Sequence, residues 1–74
     1  MTYPVNESLA ERVLATLKNT PEGLTDFEIA GRLDAYLSSV NATRNALMKR
    51  GKVRRSGVYR PSGRGGMATV WVAA

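Results

Sequence analysis

The sequence predicts a small α+β fold: three short helices followed by a C-terminal β-hairpin, with Leu24 able to add a short third strand. Three observations carry this. Residues 37 to 53, LSSVNATRNALMKRGKV, place Val40, Thr43 and Leu47 at spacings of three and four, which is one helical face, and the stretch ends at Gly51 before a basic strand. Just before it, Thr25 and Glu28 form a T-x-x-E capping box, with Leu24 and Ile29 at the staple positions on either side. After it, residues 53 to 59 and 67 to 72 are rich in β-branched and aromatic side chains and flank the turn-forming segment 60–66.

Each element follows from local chemistry. Residues 1–5 read as an extended arm, because Pro4 disfavours helix at the residue before it. Asn6 is the expected N-cap of the first helix, Glu7 and Glu11 suit the positive end of its dipole, and Leu9, Val13, Leu14 and Leu17 form its apolar stripe as far as about Lys18. Pro21 and Gly23 stop it. The second helix starts at Thr25 and buries Phe27, Ile29, Ala30 and Leu33, while Gly31 either admits a close neighbour or simply weakens the helix. Asp34, Ala35 and Tyr36 make a short turn in which Asp tolerates a left-handed backbone, so the second and third helices read as a helix-turn-helix. On the third helix Ser38, Ala42, Asn45 and Lys49 point away from the core, flanked by Asn41 and Met48. In the hairpin, Trp71 is expected to anchor the strands to the helices. Core packing is the first expectation for Trp71 and Tyr59, with an edge position toward a ligand as the alternative.

Composition narrows the function. Seventy-four residues make one domain, 1–74, with a core near the lower limit for independent folding and roughly 60% of the chain surface buried. The absence of Cys and His removes disulfides, thiol nucleophiles, imidazole bases and the usual zinc ligands, and leaves the redox compartment unconstrained. The acids fall at helix-capping and helix-face positions, so no acid–base pair or metal cluster is visible and neither catalysis nor a cofactor is expected. The glycine-rich segment 60–66 lacks the strand-to-helix context of a phosphate-binding loop. With no long apolar run and no signal-peptide pattern, the chain is expected to be soluble and intracellular.

The net charge of +5 is divided unevenly. Residues 1 to 34 hold six acids against three bases, a net −3, whereas residues 35 to 74 hold eight bases and no acid, a net +8. A one-signed half is expected of a surface that meets a polyanion. A membrane surface would need an apolar face beside the cations, and here the arginines lie mostly in a glycine-rich strand region. The outer face of the third helix suits a DNA groove: Asn can pair bidentately with adenine, Ser with several base edges, Ala permits close approach and Lys holds phosphate. An ordinary solvated helix face is the alternative.

The pattern resembles the winged helix-turn-helix family from Asn6 to Ala73. The segment Glu28-Ile29-Ala30 with Leu33, Val40, Leu47, Gly51 and Val53 falls at that family's core spacings, followed by a basic wing and a final aromatic-bearing strand. It is most similar to the small, free-standing members common in bacteriophages and prophages, which implies a cytoplasmic location in a bacterial or infected host cell. In that family the second helix of the motif enters the major groove and the wing lies along an adjacent minor groove or the backbone. Carried over by position, base reading falls to Ser38, Ser39, Asn41, Ala42 and Asn45, and phosphate or minor-groove contact to Arg44, Lys49, Arg60 and Arg64. Two positions depart from the pattern. Arg44 stands where the family is usually apolar, so it must snorkel past the core edge or pull toward phosphate. Asp34 stands where many members have glycine. Residues Val40-Asn41, Leu47, Lys49-Arg50-Gly51, Val53-Arg54-Arg55 and Trp71 also resemble the winged-helix domains that bind left-handed duplexes. Those domains carry a tyrosine where Asn45 stands and a proline pair where this chain has residues 67 to 70.

Beside catalysis, for which no residues are visible, two functions are weighed. The resemblance implies a double-stranded DNA-binding transcription regulator, and a left-handed duplex is its lesser variant. A protein-interaction module, such as a phage-encoded inhibitor docking on an acidic host protein, is the alternative from another class, because fold alone does not settle function. Pairing of two copies through the first helix or the arm at Tyr3 would suit a palindromic site.

Overall fold

The computed structural model describes residues 8–63 and 65–74. The arm expected over residues 1–5, the Asn6 cap, Glu7 and Arg64 lie outside them. In chain order run α1 (Leu9–Lys18), α2 (Asp26–Leu33), α3 (Leu37–Lys49), β1 (Val53–Pro61) and β2 (Met67–Ala73). Three helices followed by an antiparallel hairpin is a winged helix layout.

The helix boundaries follow from capping. α1 begins one residue after Ser8: the Ser8 hydroxyl accepts from the Glu11 N–H at 3.2 Å and the Glu11 carboxylate accepts from the Ser8 N–H at 2.9 Å. Asn6 has no carboxylate three residues on, so Ser8 is the position that satisfies two orphan donors reciprocally. α2 starts as its sequence predicts, with Thr25 and Glu28 in the same arrangement at 3.2 and 2.9 Å. It ends at Asp34, which adopts φ 53° and is the one non-glycine residue with positive φ among those described. The Asp therefore takes the left-handed position at which a glycine is commonly found, and the Ala35 N–H closes the turn on the Ala30 carbonyl at 3.0 Å. α3 leaves through Gly51 at φ +74°, with the Gly51 and Lys52 N–H groups donating to the Met48 and Leu47 carbonyls. That double closure ends the helix and leads straight into β1.

The core is built where the stripes meet. Val13 and Leu17 of α1, Ile29 and Ala30 of α2, Val40 and Leu47 of α3, and Leu24, Val53 and Trp71 form one buried cluster. Each fully buried Leu, Ile or Val contributes roughly 1.5–3 kcal/mol. Arg12 ties α1 to the end of α2 by donating to the Leu33 carbonyl at 3.0 Å. The third strand expected at Leu24 is a single bridge, in which Leu24 and Trp71 exchange both backbone hydrogen bonds at 3.0 and 2.8 Å. Beside it Gly23, at φ +84°, lets the two backbones touch: a Cβ there would stand 2.6 Å from the Trp71 carbonyl oxygen.

Several side chains depart from expectation. Phe27 is 49% exposed rather than buried, because on so short a helix it cannot share a face with Ile29, about 200° away on the wheel. Tyr59 is 59% exposed, since it lies beyond the end of the helical core. Met48 turns toward the core edge instead of flanking the outer face. Gly31 has nothing within 4 Å of where a Cβ would stand, so it serves no close approach.

The hairpin is longer than its β-rich runs suggest, and Arg60 belongs to β1 rather than to the tip. Its register is uneven. Arg55 pairs with Trp71 and Tyr59 with Thr69, so residues 56 to 58 oppose Val70 alone, and Gly57 sits there at φ +91°. This bulge adds two residues to β1, which keeps Arg55 and Tyr59 on one face of the sheet.

Candidate nucleic-acid interface

Burying Val40 and Leu47 turns the opposite side of α3 to solvent. Ser38, Ser39, Asn41, Ala42 and Lys49 are exposed there and Asn45 is half-buried. Thirteen residues make a rod about 20 Å long. Tyr36, at its N-cap, makes no side-chain cap, so the first backbone N–H groups of α3 are left open at the end that carries Ser38 and Ser39. None of the side chains of Ser38, Ser39, Asn41 or Asn45 is hydrogen-bonded within the described residues. The amides and hydroxyls are therefore available to an external partner, and Ala42 adds no bulk between them.

Two of the arginines expected to meet phosphate have internal partners. The Arg44 guanidinium grips the Asp26 carboxylate from two nitrogens, at 2.8 to 3.1 Å, with the two side chains only 16% and 14% exposed. The same guanidinium lies 4.0 Å from the centre of the Trp71 ring. Arg44 thus turns inward rather than snorkelling outward, and it links α2, α3 and β2. Arg60 pairs with Glu28 at 2.8 Å and donates to the Gly23 carbonyl at 2.9 Å, which holds β1 against the start of α2. Burial pushes the Glu28 carboxyl up, but the Thr25 N–H and the Arg60 guanidinium outweigh it and leave the group below its ordinary value. Arg64 lies outside the described residues.

The pairing leaves a simple charge layout. Asp26 and Glu28, the two acids on α2 nearest the hairpin, are neutralised. Lys49, Arg50, Lys52, Arg54 and Arg55 are exposed and have no acid partner among the described residues, and they run from the end of α3 into β1. Four of these five are absent from the residues carried over by resemblance. Their signal is the acid-free run of cations itself, which family position, unlike charge density, does not select. Arg55 also approaches the Trp71 ring, at 5.6 Å from its centre.

A cleft of about 240 Å³ separates the first half of α3 from the hairpin, and Asn41 stands on its rim. Among the described residues no helix is long and apolar enough to cross a membrane, and no group of three His, Cys, Asp or Glu is placed to hold a metal. No protein-family model matches the sequence and no curated relative was found.

Proposed function

We propose that this chain is a double-stranded DNA-binding protein of the winged helix-turn-helix type, a phage or bacterial transcription regulator acting in the cytoplasm. α3 enters the major groove, where Ser38, Ser39, Asn41, Ala42 and Asn45 meet base edges. Lys49, Arg50, Lys52, Arg54 and Arg55 hold the phosphate backbone at the C-terminal end of that helix. Arg44 and Arg60 keep the frame in register rather than touching DNA. The observation that carries this is the pairing, among the described residues, of an outward amide-bearing helix face free of internal hydrogen bonds with a run of five cations at its end that have no acid partner there.

Duplex titration at several salt concentrations, with sequence selection from a random pool, tests it. If about five phosphates are neutralised, log K against log salt has a slope of about −4 to −5. Replacing Asn41 and Asn45 together by Ala abolishes sequence preference and leaves weak nonspecific binding. A slope near zero, or discrimination unchanged in that double variant, would sink the assignment.

A second function has one observation in its favour. Phe27, Tyr36 and Tyr59 are exposed aromatics, a residue class that anchors protein interfaces. Docking of the basic face on an acidic host protein is the outcome if duplexes fail to bind at low salt and an acidic protein is captured instead.

A further inference from the structure

The cleft between α2, the start of α3 and β2 has no part in the groove-reading role beyond Asn41 at its rim. Part of its wall is aromatic or planar, beside small side chains such as Ser62 and Ala68. Phe27 stands on one side, half-exposed, and the hairpin tip packs closely against its ring: a Cβ at Gly63, where φ is +84°, would lie 3.0 Å from a ring carbon. Leu37 and Trp71 continue the apolar lining. Arg44 lies over the Trp71 ring at 4.0 Å and is fixed in that plane by its two-pronged grip on Asp26. The Asn41 amide, at the rim, offers a donor and an acceptor with no partner inside the described residues. Thr69 adds a polar edge.

These features favour one class of ligand. The Arg44 charge is balanced by Asp26, so nothing in the cleft calls for phosphate. A ring wall, a fixed guanidinium plane and a free amide are the groups with which proteins stack and edge-read a single base. At about 240 Å³ the space is below the roughly 300–1,000 Å³ of pockets for drug-sized ligands. It suits one heterocycle.

We propose that this cleft is a nucleobase site, taking a single planar heterocycle stacked on Phe27 with its edge on Asn41. The heterocycle is either an unstacked base of a bound duplex or a free nucleoside. The first source rests on the DNA-binding role proposed above; the second does not.

Trp71 is the chain's one tryptophan and lines the cleft, so its fluorescence reports occupancy directly. The full chain is titrated with adenosine, guanosine, cytidine and thymidine, with an intact duplex, and with the same duplex carrying one extrahelical nucleotide. Phe27→Ala and Phe27→Leu are compared, the second keeping apolar volume without a ring, and far-UV circular dichroism checks that both fold. The expected result is about tenfold tighter binding of the bulged duplex than of the intact one, lost in both variants, or a saturable nucleoside-induced change in Trp71 emission lost in both. If only the nucleosides bind and no duplex does, the DNA-binding role fails and the cleft assignment stands. If the intact duplex binds but the bulge confers no preference and no nucleoside alters emission, the cleft assignment is overturned and the DNA-binding role stands. A preference or emission change that survives in Phe27→Ala and Phe27→Leu also overturns it.

Discussion

Removing Asp26 isolates the polar link on which the geometry of α3 and the hairpin depends. In Asp26→Ala the Arg44 guanidinium, 16% exposed and laid on Trp71, loses both acceptors that neutralise it. A surface pair is worth up to about 1 kcal/mol, and stranding one charge of a buried pair costs about 3–5 kcal/mol. This pair is mostly but not fully buried and has two-pronged geometry, so the expected loss is about 2 kcal/mol. A 74-residue domain has roughly 4–11 kcal/mol of stability in all. The midpoint of thermal unfolding should fall by roughly 8–16 °C, at about 4–8 °C per kcal/mol. Melting followed by circular dichroism, with urea unfolding to check that the slope is unchanged, measures it. Because most of the cost is the stranded charge, Asp26→Ala with Arg44→Met should be more stable than the sum of the single losses predicts. A loss below about 0.5 kcal/mol, or strict additivity in the double variant, would refute the account of Arg44 as an internally held side chain.

Three further outcomes are expected. Glu28 titrates below its ordinary value of 4.5 in the folded chain, so it contributes stability that is complete above that pH and is lost as pH falls through the lower, folded value; Glu28→Gln should flatten the acid limb of a stability-against-pH curve below about pH 4.5. Gly31→Ala, at an exposed helical position with open space around it, should raise stability by about 0.5–1 kcal/mol in urea unfolding. Gly23→Ala should do the opposite: its positive φ costs about 1–3 kcal/mol of backbone strain before the clash with the Trp71 carbonyl is counted, and loss of amide protection at Leu24 and Trp71 in hydrogen exchange would locate the damage.

What can be read from the sequence is mainly what is local. The Thr25–Glu28 box, the Asp34 turn and the Gly51 exit each depend on residues within a few positions of one another, and each forms as its chemistry predicts. Ser8–Glu11 is an S-x-x-E pattern of the same kind, equally local, and it forms both reciprocal bonds. Arg44 shares a face with Val40 and Leu47, which marks it as a departure from an apolar position, but its inward turn is not expected from the sequence. Its partner is not legible either: Asp26 lies 18 residues away and Glu28 lies 32 residues from Arg60, so both pairs exist only once the helices and hairpin have packed. Tyr59 escapes a sequence reading because alternation along a strand says which face a side chain takes but not where the core beneath that face ends. For the candidate interface, Ser38, Ser39, Asn41, Ala42 and Lys49 are exposed as the wheel predicts, while Asn45 is half-buried, Met48 turns to the core edge, and the accompanying cations can be sorted into paired and unpaired only from the folded chain.

The uneven register of β1 bears on how copies of this chain tolerate crowding. A two-stranded sheet leaves an outer edge whose unpaired N–H and C=O groups can template another strand. Here the two extra residues around Gly57 break that row midway, and Arg54 and Arg55 place like charges beside the break. An incoming strand would lose register after a few hydrogen bonds, and a second copy would bring its own cations against the same pair. The edge of β1 is thus built against zipping into a continuous sheet with another copy.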